Sequence, residues 1–374
     1  MERIEKKSGD FLLLVTLILL LGMGISVLFS ASNYFSQRKF GDPLYLFKRQ
    51  LLWIALGCAV GFVAARTPVE MFKQASPYIL LASLILSILP LVPGIGIPIL
   101  GARRWIFFLG LSFEPSELVK FALILYLALI FAKKQEQMSD WVNSILPPLI
   151  IVLLFAVLIY LQNDFSNTLF ILLIAGEMFF LANIPMLYFI PLGLAVLPVS
   201  GFLLLTQEHR VRRLIAFINP LMDPEGTAFQ LIAARSAFVN GGFWGRGLGR
   251  GMKKLGGLPE AHSDFIFAVL GEEAGFVGAV FVLSLFVLFA WRGLRIALNS
   301  PDSFSYYLGA GITSTIFLQA MMNVMVATGL VPVTGVPLPF FSAGGSAMLV
   351  TLLMCGLLIN LSRGEENPRR LSRV

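Results

Sequence analysis

Leu258 to Glu273 reads LPEAHSDFIFAVLGEE, and this stretch decides how the chain is to be read. It passes from a polar, glycine-rich segment straight into an apolar run, with Asp264 at the border. A carboxylate held where water ends and lipid begins can meet a membrane-anchored molecule and still exchange protons with solvent. Working outward, the run after Asp264 is one of many. The 374 residues are 57% hydrophobic and 13% charged, whereas soluble domains carry about 25% charged residues. So few charges cannot cover a soluble surface. A transmembrane helix needs about 20 apolar residues to cross a ~30 Å hydrocarbon core, and barrel strands would be about ten residues long and alternating. The runs here are long and continuous. They predict an all-α polytopic membrane protein, because a helix satisfies its own backbone in lipid.

Ten transmembrane helices are predicted, at about 11–32, 48–65, 75–93, 113–132, 146–162, 164–183, 186–205, 265–291, 305–330 and 343–362. The first imitates a signal peptide with a small-residue site at Ser30-Ala31-Ser32, but it is longer than a usual secretory apolar region and reads as an uncleaved helix. Only Gln162-Asn163-Asp164 separates the fifth from the sixth, which allows a hairpin or a re-entrant bend. The net charge of +7 is not a nucleic-acid signature, since Lys and Arg lie in the gaps between spans. With the N-terminus in the cytoplasm, 13 of the 28 fall in short cytoplasmic segments and 6 in short outer loops. That asymmetry predicts both termini inside the cytoplasmic membrane. One long extracytoplasmic loop then spans 206–264. Its first part, Gln207 to Gln230, is basic with turns at Asn219-Pro220 and Asp223-Pro224; its second, Asn240 to Gly257, has eight glycines and four cations. The second part suits close approach to phosphate or is simply a flexible, solvated loop.

Ionisable groups within spans are costly and are functional or paired. Glu117 and Lys120 lie three apart on one helix face after Pro115, either as an ion pair locking helices or as the lining of a polar cavity. Asp164 and Asp264 each begin a span and could cap it, with Ser263 as the rival cap of the second. Glu272 and Glu273 follow Asp264 on different helix faces, so both cannot share its cavity. Glu177 lies near the cytoplasmic end of the sixth span. The two histidines, His209 and His262, and the two cysteines, Cys58 and Cys355, make no metal or disulfide pattern. Gly329 to Ser346, with three prolines and four glycines, cannot continue a helix and forms either a groove wall or a compact loop.

Five motifs in order, GARRW (Gly101 to Trp105), PSE (Pro115 to Glu117), RR…NP…DP…G (Arg212 to Gly226), LPEAHSDFIFAV (Leu258 to Val269) and GVPLPFFSAGGS (Gly335 to Ser346), resemble the SEDS family of shape, elongation, division and sporulation proteins, which includes RodA and FtsW. The likeness covers nearly the whole chain. LPEAH and RRLIAFINP are FtsW-like and GVPLPFFS is RodA-like, with a slight lean to FtsW. Gln162-Asn163-Asp164 stands where the family has Gln-Pro-Asp, and Ser342-Ala343-Gly344-Gly345 where it has Ser-Tyr-Gly-Gly.

The resemblance implies a peptidoglycan glycosyltransferase that polymerises lipid II at the outer face of the cytoplasmic membrane, for cell division or for elongation and shape. It implies a class B penicillin-binding protein as transpeptidase partner, among other division or elongation proteins. It makes Asp264 the general base of an inverting transfer. Arg49, Arg103, Arg104, Glu117, Lys120, Asp164, Arg212, Arg213, His262 and Glu272 are the expected substrate-binding set, with further loop cations Arg246, Arg250, Lys253 and Lys254. Cations must neutralise the diphosphate leaving group. A divalent cation there stays open, with no protein-ligand motif for one. The rival readings are a flippase for lipid-linked precursors, which needs a polar route across the bilayer rather than a base beside a loop, and another lipid-linked sugar transferase.

Overall fold

The first helix is fastened at its start. The Asp10 carboxylate accepts from the Leu13 N–H at 2.9 Å, capping the helix, and from Arg292 Nε at 3.0 Å. The computed structural model describes residues 9–99, 102–108, 110–138, 140–185, 201, 206–219 and 227–364. Eight helical segments in it are long and apolar enough to cross a membrane. They are α1 (Phe11–Phe40), α2 (Tyr45–Ala64), α3 (Val69–Ile88, extended to Leu91 by a 3-10 turn), α4 (Pro115–Lys133), α5 (Leu146–Leu161, preceded by a π-turn from Trp141), α9 (Ile266–Leu298), α10 (Ser303–Thr328) and α11 (Gly345–Ser362). A shorter apolar helix, α6 (Phe165–Leu181), follows α5. The protein is therefore an integral, polytopic helical membrane protein. The predicted seventh span, 186–205, lies almost wholly outside the described residues, as do the turns predicted at Asn219-Pro220 and Asp223-Pro224, apart from Asn219 itself.

α4 is the axis of the bundle. Burial covers 78% of its span against 22% for α3, and α3, α6, α10 and α11 pack around it. α2 lies along α11 so closely that a side chain at Gly61 would meet the Leu352 carbonyl at 2.6 Å, a small-residue contact of the kind membrane helices use. Ser30, Ala31 and Ser32 sit inside the continuous α1, with Ala31 and Ser32 buried. At the α5–α6 hairpin, Asn163 adopts φ 62°. Proline, fixed near −65°, could not take that turn, so the asparagine changes the local backbone rather than merely removing a kink.

Two regions differ from the sequence expectation. The short loop after α3 contains a three-stranded antiparallel sheet, β1 (Gly96–Ile99), β2 (Ala102–Phe108) and β3 (Leu111–Phe113). Strand alternation leaves Arg103 exposed and turns Arg104 inward. The 206–264 segment carries two helices, α7 (Glu208–Ile218) and α8 (Thr227–Gly241), and α8 packs on α9. Phe265 to Leu270 are buried in protein, so their apolar character marks packing, not lipid.

The glycine-rich segment is built into a break in α9. Gly275 has φ 67° and ψ −167°, outside the helix. The Glu272 and Glu273 carbonyls lose their helical donors and accept instead from Arg246 N at 3.0 Å and Gly247 N at 2.9 Å. The displaced N–H groups of Phe276 and Val277 donate to Gly242 O at 2.9 Å and Phe243 O at 3.2 Å. A side chain on Gly275 would meet Gly245 N at 2.3 Å.

Counting along the helices fixes the hydrocarbon level. From Asp10 on α1, or back from Arg292 on α9, about 20 residues at ~1.5 Å each cover the ~30 Å core. The counts end at Ser30 and near Glu273, and the Ser30 hydroxyl donates to Glu273 Oε1 at 2.7 Å. The same count back from Ser362 on α11 ends near Ser342, whose hydroxyl donates to Ser263 O at 2.6 Å, so Asp264 stands near this level as well. Gly275→Ala is expected to cost about 1–3 kcal/mol for the strained backbone alone, and more for the clash. Thermal unfolding of the detergent-solubilised protein should show an apparent Tm several degrees lower; an unchanged Tm would mean the break tolerates a side chain.

Candidate functional site

One helix and one loop hold the backbone around Asp264. Asn323 of α10 donates from Nδ2 to Asp264 O and to Val336 O, each at 2.9 Å. Ser342 Oγ donates to Ser263 O at 2.6 Å, and Ala343 N to His262 O at 2.8 Å. Neither proposed cap is used. The N-cap of α9 is Phe265, without a side-chain cap, and the Ser263 hydroxyl donates to Glu260 Oε2 at 2.8 Å. The Asp264 carboxylate thus has no helix-capping task. Withdrawal from water raises it most, Glu260 and Asp164 add to the rise, and Arg104 and Arg213 oppose it; it settles at about 7.

Arg104 is the cation of this site. A methyl group placed on Gly335 would lie 3.7 Å from Asp264 Oδ2 and 4.0 Å from Arg104 Nη1, so both side chains converge on that glycine. Nη1 also reaches Asp164 Oδ2 at 3.3 Å. Burial works against its charge, but Glu114, Asp164 and Asp264 overcome that and raise its pKa. Its Nε is buried without a partner among the described residues. An unmet buried donor costs about 1–3 kcal/mol, and it is a natural place for an acceptor from a bound molecule.

Behind Arg104 the polar contacts continue inward. Asp164 caps α6 by accepting from Asn167 N at 3.2 Å. Asn167 Nδ2 donates to Asp164 Oδ2 at 2.8 Å and to Glu114 Oε1 at 3.1 Å. Glu114 precedes α4, and burial, helped by Asp164 and Glu117 against Arg104 and Lys120, lifts its carboxyl to about 7. Glu117 and Lys120 end the series as a 2.8 Å ion pair with side chains only 4% and 1% exposed.

Of the predicted residues, Asp264, Arg104, Asp164 and Arg213 therefore share one electrostatic neighbourhood. Arg49 donates to Ser112 on β3 at 2.7 Å, at the neighbouring edge of the sheet. Arg103 points away, and the exposed Arg212 pairs with Glu208 at 2.6 Å. His262 is buried and stacked on Phe35, ring centroids 4.3 Å apart; burial holds it below its usual pKa. Glu272 is not brought to this cluster. It is fully buried, and its carboxylate accepts from Lys253 N at 3.0 Å and Asn240 Nδ2 at 3.3 Å. Glu273 likewise accepts from Gly249 N at 3.0 Å and pairs with Lys254 at 2.5 Å. Among the described residues no three His, Cys, Asp or Glu side chains gather as metal ligands.

The family model described as cell cycle protein, FtsW/RodA/SpoVE, matches residues 11–367. The chain belongs to this family. The probable peptidoglycan glycosyltransferase FtsW of Geobacter sp. (strain M18) is 38% identical over 362 residues, covering 97% of this chain and 98% of that protein. A solved structure described as structural coordination of polymerization and crosslinking by a peptidoglycan synthase complex aligns with a TM-score of 0.78 at 28% identity, covering 95% of this chain and 98% of its own. The crystal structure of the rod shape determining protein RodA of Thermus thermophilus aligns with a TM-score of 0.67 at 27% identity, covering 95% and 97%.

Sequence reasoning passes over Glu114, Asn167, Asn323 and Gly335 as individual residues. Glu114 and Asn167 carry a signal: one sits just before a helix-starting proline, the other three residues after a capping aspartate. Asn323 and Gly335 carry none, since only the fold sets them beside Asp264. The sealed pair gives a sharp expectation. Glu117→Gln leaves the Lys120 charge unpaired at a cost of about 3–5 kcal/mol, while Glu117→Gln with Lys120→Met recovers most of it. Thermal unfolding of both variants checks this, and equal stability of the two would show that the pair does not hold the helices.

Proposed function

We propose that the chain is a peptidoglycan glycosyltransferase that polymerises lipid II, with Asp264 as general base. The observation that carries the reading is the convergence of Asp264 and Arg104 on Gly335. The family membership and the relatives named for this activity support it. The site would face the outside of the cytoplasmic membrane, with both termini in the cytoplasm, as the distribution of Lys and Arg favours.

The chemistry follows from the charges. A sugar hydroxyl of the acceptor is a poor nucleophile until its proton is removed. A carboxylate whose pKa lies near 7 can take that proton at neutral pH. The oxygen attacks the anomeric carbon of the donor as the bond from that carbon to the diphosphate oxygen breaks. Single displacement inverts the centre and gives a β-linked chain. The polyprenyl diphosphate leaves with its electron pair. Arg104, with its unmet Nε donor, and Arg213 stabilise that developing charge. Both substrates carry polyprenyl tails, so they enter sideways from the bilayer while their sugars stand at the height of Asp264.

The peptidoglycan synthase complex among the structural neighbours supports a penicillin-binding transpeptidase as partner, and the family supports a role in division or shape. Sealing of Glu117 and Lys120 favours an enzyme over a flippase, which would need those charges along an open route.

Purified protein reconstituted with lipid II and a partner lacking its own glycosyltransferase domain tests the assignment. Asp264→Asn should cut polymerisation by about 10²–10⁴-fold, the usual worth of a general base, with lipid II binding nearly unchanged. Normal glycan from that variant would remove Asp264 from the role. Since the ionised form is the active one, the rate should fall as pH drops through about 7 and level off above it. Arg104→Gln removes a charge that holds the Asp264 carboxyl down, so it should move that midpoint to higher pH as well as slow the reaction.

A further inference from the structure

The glycine-rich segment has a face that the proposed reaction does not use. Trp244 is 78% exposed, and Phe243, Leu248, Met252 and, from α9, Phe276 are exposed beside it. Phe243 stacks on Phe276 with centroids 5.8 Å apart and meets Trp244 edge-on at 5.1 Å. Between these side chains run exposed Arg246 and Arg250, and residues 240–257 contain four cations and no acid. Lys254 is withdrawn from the surface into its pair with Glu273. A cluster of large apolar groups laced with arginine is poorly suited to open water.

Its height explains it. The backbone of 242–247 is bonded to residues 272–277 of α9, the level at which the counts along α1 and α9 both leave the hydrocarbon. Trp and aromatic rings favour that boundary. Arginine can lay its stem on apolar surface and send its guanidinium to phosphates, and anionic lipids attract such cations. The exchange of backbone bonds with α9 meets the N–H groups of Arg246 and Gly247, which lowers the cost of lying there.

We propose that residues 242–256 are an interfacial anchor. Phe243, Trp244 and Leu248 enter the boundary between headgroups and acyl chains, and Arg246 and Arg250 bind phosphates of anionic phospholipids in the leaflet nearest the site. Because the segment is stitched into the α9 break, the anchor also fixes the height of Asp264 relative to that leaflet.

Emission of the full chain in nanodiscs tests this by difference between wild type and Trp244→Phe, a conservative change at an exposed position. The component lost with Trp244 should be quenched about twofold more by lipids brominated near the glycerol end than near the chain terminus, and weakly by aqueous iodide. In parallel, Arg246→Gln with Arg250→Gln should retain severalfold less phosphatidylglycerol than wild type after detergent extraction, counted by native mass spectrometry. Strong iodide quenching with no bromolipid effect would place Trp244 in water and overturn the proposal. Shielding from both quenchers would mean that another protein surface covers it, which also overturns it, as would unchanged phosphatidylglycerol retention.

Discussion

The exchange of backbone hydrogen bonds at Gly275 is the constraint on which this architecture rests. A helix that breaks near hydrocarbon strands its N–H and C=O groups, and each costs several kcal/mol if nothing replaces the lost partner. Here the replacement is mutual. The glycine segment gives N–H groups to Glu272 and Glu273 and takes those of Phe276 and Val277. The two carboxylates then gather the same segment through Lys253 N, Gly249 N and Lys254. A stretch that composition suggests is flexible is thereby made part of α9, and everything placed relative to α9, including Asp264, inherits that rigidity.

The second organising fact is charge in a place with little water. Arg104 faces three carboxylates, Glu114, Asp164 and Asp264. One guanidinium cannot neutralise three acids, and withdrawal from water lifts the carboxyls of Asp264 and Glu114 to about 7. Asp164 has the ion pair with Arg104 and two donors from Asn167. Asp264 has neither, and its carboxyl rises to about 7. Of the two carboxyls lifted to about 7, Asp264 is the one beside the proposed substrate, where acid–base chemistry needs it.

Much of this is legible in the residues. Long apolar runs give the helical membrane architecture, and Asp264 and Asp164 stand out because charge beside apolar sequence is costly, whereas Arg104 is read only as one of two adjacent cations in the GARRW motif. The small sheet is hidden because β2 sets two adjacent arginines before four apolar residues, without the alternation of a half-buried strand, in a segment bounded by long spans where a loop is the simpler reading. The surroundings of the residues after Asp264 are hidden for a related reason. Residues 265–270 are as apolar as a membrane face, and sequence cannot tell lipid from the protein that covers them. Glu272 is misplaced because its partners include backbone N–H groups, which carry no residue identity to read.

A carrier and a polymerase make opposite demands on the same polar groups. A carrier for lipid-linked sugars needs charges that meet water alternately from either side, hence side chains free to change partners. Among the described residues the polar series from Asp264 narrows inward and stops: Lys120 is held by Glu117, contacts Gln319 at 3.5 Å and lies over the Phe170 ring at 5.3 Å. Below it α4 carries only apolar and aromatic side chains from Phe121 to Phe131, most of them buried. A polymerase needs the reverse, a fixed base and a fixed cation at one face with a sealed support behind them. The ion pair at the foot of the series is suited to that support, since its desolvated charges resist rearrangement and hold α4 in the register that places Glu114, Asn167 and, through them, Arg104.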